Sequence, residues 1–170
     1  MQRWSVRTSV RAALCCCLLA GAALGQESLI GPQYRAFTLE PKERRVVPVP
    51  GLERVTGASG MCIEEELVEF SSLTLVASCP GVRTTLAWLK DGARMHFMAC
   101  AEADDRPAEL VARRKKVQAE LKGIKGVTAC IRARRIELLG WALDKKERAA
   151  VAKVARKHGV DDHVEEIGAE

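Results

Sequence analysis

The spacing of apolar positions divides the chain into a stretch with period two followed by one with period 3.6. Between Tyr34 and Glu102 the signals are those of strands: Phe37 and Leu39 alternate with Ala36, Thr38 and Glu40. "RRVVPVPGLERV" is rich in β-branched residues but broken by Pro48 and Pro50, which cannot donate to a ladder and so place it at a sheet edge. "CIEEELVEFSSLTLVASC" predicts two strands joined around Ser71 and Ser72. Pro80-Gly81 then turns the chain, Thr84 to Leu89 runs as a strand, and Asp91-Gly92 is a two-residue hairpin signal whose partner strand is "ARMHFMACAE".

After Asp104-Asp105-Arg106-Pro107 the period becomes helical. Leu110, Val117 and Leu121 share one helix face, and Arg113, Arg114, Lys115 and Lys116 are assigned to the other. "GVTACIRARRIELLGWAL" predicts a second hairpin with Ala133 and Arg134 at its tip. Asp144 with Glu147 three residues on forms a capping box for a second helix, lined by Val151, Val154 and Ala155 and ended by Gly159. Val160 to Ile167 is a last strand. The fold class expected is α+β: a small β-rich module over 34–102, a linker over 103–107, and a helix-strand-strand-helix-strand module over 108–168.

In the second hairpin, Val127, Ala129, Ile131, Ile136 and Leu138 fall on one face, which should receive the helices. The other face carries Thr128, Cys130, Leu139, Trp141 and Leu143, too apolar for a solvated surface. Either the first module covers it or a partner does. Leu139, Trp141 and Leu143 are therefore candidate partner-binding residues, Trp141 as an anchor of the kind enriched at binding hot spots.

The first 25 residues change how charge and cysteine are read. Arg3, Arg7 and Arg11 precede an apolar run from Ala12 to Ala23, and Ala23-Leu24-Gly25 offers small residues for cleavage, so 1–25 is expected to be a secretory signal. Its removal takes three arginines and no acidic residue from totals of 27 and 22, which leaves a net charge of +2. So balanced a chain argues against a nucleic-acid partner. Export also favours disulfides among Cys62, Cys79, Cys100 and Cys130. A hairpin centred on Ser71-Ser72 brings Cys62 within a residue or two of opposing Cys79, and a bridge is expected there. Whether Cys100 and Cys130 pair across the modules is left open.

Sharper chemistry finds little purchase. No cysteines are spaced CxxC, no serine sits in a nucleophile elbow, no phosphate-binding glycine loop occurs, and Glu64, Glu65 and Glu66 alternate along a strand. His158 and His163 flank "GVDD" without a spacing that ensures convergent metal ligation. A non-enzymatic protein with no metal or cofactor is expected. Arg132, Arg134 and Arg135, together with Arg113 to Lys116, form a candidate anionic-surface site, for which phospholipid is the alternative partner.

Val46, Val47, Leu52 and Val55, followed by Pro80, Gly81, Thr84, Thr85, Leu86, Trp88, Asp91 and Gly92, resemble the N-terminal region of Tad/Flp pilus secretins, the RcpA/CpaC family. The second module, through Gly126-Val127, the Ile136 to Gly140 strand, Glu147 and Gly159-Val160, is similar to a BON domain. The resemblance implies a periplasmic protein, at the outer membrane in one form of that reading, that docks secretins or other envelope proteins of a pilus or type II-like secretion system. No run of amphipathic strands is left over to close a barrel, so docking rather than conduction is what it implies.

Overall fold

The computed structural model describes residues 33–57, 62–68 and 71–168. The expected leader, 1–25, lies outside these residues. The protein is mixed α/β and mostly β. Among the described residues ten strands form three sheets, with two helices: β1 (Gln33–Leu39), β2 (Arg44–Pro48), β3 (Leu52–Gly57), β4 (Ile63–Val68), β5 (Ser72–Ala77), β6 (Gly81–Leu89), β7 (Arg94–Ala101), α1 (Ala108–Glu120), β8 (Val127–Arg132), β9 (Arg135–Ala142), α2 (Lys145–His158) and β10 (Asp161–Glu166).

The first seven strands make a sandwich of a four-stranded sheet, β1-β7-β6-β3, and a three-stranded sheet, β2-β5-β4. The Pro-interrupted segment is what lets one stretch serve both sheets. After β2 the chain turns at Gly51, where φ is +75°, and β3 joins the other sheet. Both are end strands, and for β2 that is the place Pro48 calls for. Inward positions of the two sheets, among them Leu39, Val47, Leu52, Leu73, Leu75, Leu89 and Phe97, close into one core.

The β6–β7 hairpin departs from the two-residue turn expected. Leu89 and Ala93 are the closing pair, so Lys90, Asp91 and Gly92 make a three-residue connection with Gly92 at φ +84°. Glycine serves there as the left-handed residue that ends such a loop, rather than as half of a mirror-image turn. At the β8–β9 tip the two-residue loop does occur, with Ala133 and Arg134 both at positive φ.

The remaining elements run helix, strand, strand, helix, strand, with β10 parallel to β9 in the sheet order β10-β9-β8. Val127, Ala129, Ile131, Ile136 and Leu138 meet Val117, Leu121, Val151, Val154 and Ala155 in a second core. Asp144 caps α2 by accepting from the Glu147 N–H at 2.7 Å, and the Glu147 carboxylate reaches back to the Leu143 N–H at 2.9 Å. Gly126, just before β8, and Gly140 permit a close backbone approach: a Cβ on Gly140, at φ +124°, would run into the Gly126 carbonyl, which accepts from the Trp141 N–H at 2.8 Å. Among the described residues no helix is long and apolar enough to cross a membrane.

Candidate docking surfaces

The apolar face left over in the second hairpin is covered by the first module. Cys130 is bonded to Cys100 of β7 with their Cα atoms 6.3 Å apart, and Leu139 packs with them against Val82 and Met98. Leu139 is 6% exposed, so its place among the partner-binding candidates is corrected: it belongs to the junction. Trp141 is half-buried at the margin, tilted at 5.4 Å against Tyr34, which stacks at 4.7 Å on His96. Burial and, secondarily, the nearby Arg94 charge hold the His96 imidazole below its usual range. Leu143 is 47% exposed and the one member of the trio open to solvent.

The junction also closes the outer edge of β8, whose unpaired main-chain groups would otherwise be left without partners. Thr38 of β1 donates to the Ala129 carbonyl at 2.7 Å, and the Gln118 side chain accepts from the Ala129 N–H at 2.7 Å. The Ile131 N–H is taken by Glu102, a carboxylate 1% exposed, at 2.8 Å. On the other side the edge of β1 is met by the Lys125 carbonyl, which accepts from the Ala36 N–H at 3.0 Å.

Glu102 requires cations, because a buried carboxylate is costly unless paired. Arg106 pairs with it directly, and Arg114 lies with Nε 3.4 Å away. Glu40 completes the set, 2.6 Å from Arg106 and 2.7 Å from Arg114. Burial works to raise the Glu40 carboxyl, but Arg106 and Arg114 outweigh it and hold it below the ordinary range. Two acids and two bases thus bind the sandwich, the linker and α1 together.

This disposition corrects the assignment of Arg114 to a solvated helix face. It stands four residues after Leu110, three before Val117 and seven before Leu121, on the same stripe as these apolar residues. That spacing was a signal in the sequence, obscured by reading four consecutive cations as one run. Arg113 hydrogen-bonds the His158 carbonyl at the end of α2, while Lys115 and Lys116 are exposed. At the hairpin tip Arg132 pairs with Glu137 at 2.8 Å, Arg135 lies 4.0 Å from Asp161, and Arg134 is exposed. The basic candidates are therefore not one surface; Lys115, Lys116 and Arg134 are the members without an ion-pair partner among the described residues.

The Cys62–Cys79 bridge forms as expected, with Cα atoms 4.5 Å apart across the base of the β4–β5 hairpin. Glu65 turns between the sheets onto Arg83 at 2.8 Å, and burial raises its carboxyl despite that partner. His158 lies 3.0 Å from Glu120, which also receives Lys157 at 2.7 Å, and His163 is exposed on β10.

One constellation escaped the sequence reading. Trp88 of β6 is flanked by Arg54 of β3 and Arg94 of β7, whose guanidinium carbons lie 4.4 and 4.2 Å from the indole centroid. The three are register partners across neighbouring strands on the sheet's outer face. Cross-strand register decides this, and the separate segments carry no mark of it. No protein-family model and no curated protein matches the chain.

Proposed function

We propose that the protein is an exported, non-enzymatic docking component of the cell envelope, an accessory of a Tad/Flp-type pilus or type II-like secretion system. The observation that carries this reading is the junction between the modules. A disulfide, a four-charge cluster and a closed strand edge hold two small units in one relative orientation, as a scaffold that must present surfaces at fixed spacing requires. The two disulfides support an oxidising compartment such as the periplasm, and the resemblance of the first module supports a secretin as the partner. With Leu139 covered, docking falls to the open strand edges and to the Trp141–Leu143 margin. The exposed Lys115, Lys116 and Arg134 favour a second reading, adsorption to anionic phospholipid.

Affinity recovery of the tagged protein from cross-linked native envelope tests the first reading. Recovery of secretin or inner-membrane platform components supports it, and recovery of neither removes it. Flotation with phosphatidylglycerol vesicles that disappears at high salt and on Lys115→Ala, Lys116→Ala substitution moves the assignment to the lipid surface.

A further inference from the structure

The edges of the three sheets are treated differently. That of β8 is closed by Thr38, Gln118 and Glu102, and that of β1 is met by the loop before β8. At the far end of the four-stranded sheet β3 pairs, among the described residues, with β6 alone; the register breaks between Leu52 and Arg54 and is continuous from Arg54 to Gly57. Exposed end strands are commonly guarded by a charged side chain reaching out over the edge. Arg54 is in position to do this and does the opposite: its guanidinium turns back over Trp88, towards the middle of the sheet. Among the described residues no carboxylate lies within ion-pair distance of Arg54, whereas Arg45, Arg83, Arg106, Arg114, Arg132 and Arg148 all have one. A guanidinium stacked on a ring keeps its N–H fork free and is held in place for a bidentate carboxylate. Arg94, stacked on the same indole from β7, fixes the ring from the other side.

We propose that the β3 edge is a docking site for an acidic, extended peptide segment of a partner protein, which adds as a fifth strand and sets a carboxylate on Arg54. This deepens the docking reading and rests on it. Strand addition supplies the main-chain hydrogen bonds, and the residue placed beside Arg54 supplies selectivity. A peptide suits this edge better than a flat bilayer, because only an extended backbone can pair with the open main-chain groups of β3. Arg54 is the contact residue, and Trp88 and Arg94 position it.

The test uses the mature chain carrying Trp141→Phe, which leaves Trp88 as its sole tryptophan. The probes are a capped peptide of four Thr-Glu repeats, its Thr-Lys counterpart, and phosphatidylglycerol vesicles, followed by Trp88 fluorescence and by amide exchange over Leu52–Gly57. The expected result is saturable binding of the Thr-Glu peptide with slowed exchange in β3. Binding should be at least about tenfold weaker in Arg54→Gln, which replaces a bidentate charged pair by at most a single neutral hydrogen bond. Trp88→Phe, which keeps a face for Arg54, should retain most of the affinity by exchange readout, and an unchanged near-ultraviolet spectrum certifies each fold. The proposal is overturned by no binding at millimolar peptide, by equal binding of the lysine peptide, or by a response to vesicles alone. If Arg54→Gln recovers secretin components from envelope as well as the native chain does, this site is wrong while the docking function stands. If the native chain recovers none, it is the function that fails.

Discussion

Replacing Glu102 with alanine should destabilise the protein more than any other single change at the junction. The substitution leaves Arg106 and Arg114 shielded with only the half-exposed Glu40 to balance them, and it strips the buried Ile131 N–H of its acceptor. Removing one partner of a buried ion pair costs about 3–5 kcal/mol. An orphaned buried N–H costs about 1–3 kcal/mol. The two penalties share one site and do not add in full, so about 4 kcal/mol is expected, a large part of the roughly 5–15 kcal/mol that holds a domain together. With a urea m-value near 2 kcal/mol/M for a chain of this size, the midpoint should fall by about 2 M. Glu102→Gln keeps an acceptor for Ile131 while losing the charge, and should fall between native and alanine. A double-mutant cycle with Arg114→Ala should give a coupling of about 1 kcal/mol or more. If Glu102→Ala costs under about 1 kcal/mol at unchanged m, or if the cycle shows no coupling, the cluster does not hold the junction and the reasoning fails.

The Cys100→Ser, Cys130→Ser variant opens a loop with a sequence separation of 30 and should lose about 4 kcal/mol in oxidising buffer, read by urea denaturation. Gly140→Ala forces a side chain onto the Gly126 carbonyl at a positive φ, so a drop of several degrees in Tm is expected, larger than for Gly123→Ala, where nothing crowds the added carbon. His96, whose folded-state pKa is depressed, binds its proton more readily in the unfolded chain. Stability should therefore decline as pH falls through about 6.5 towards the folded value, and His96→Gln should flatten that segment of a Tm-against-pH curve. Glu40 is likewise depressed: its contribution is present above about pH 4.5 and is lost as pH falls through the lower folded value, a loss that Glu40→Gln should remove from the acid limb.

Period and punctuation carried the local structure. Alternation and turn residues marked the strands, Asp144 and Gly159 bounded α2, and the Cys62–Cys79 bridge followed from a hairpin whose two arms are short and contiguous. Which face of β8 and β9 meets the helices was equally legible, because a period-two pattern leaves one assignment. The uses of individual charges were not. Arg114 read as one of four solvated cations until a carboxylate 12 residues upstream and another 74 residues upstream converged on it. Leu139 read as a docking residue because the surface covering it, Cys100 with Val82 and Met98, belongs to strands whose position relative to β9 no local pattern encodes. The Cys100–Cys130 bridge and the Arg54–Trp88–Arg94 row are of the same kind. Local propensity and periodicity act over a few residues and are written in the chain. Pairings between distant segments depend on how completed sheets stack and register, and only the assembled tertiary structure decides them.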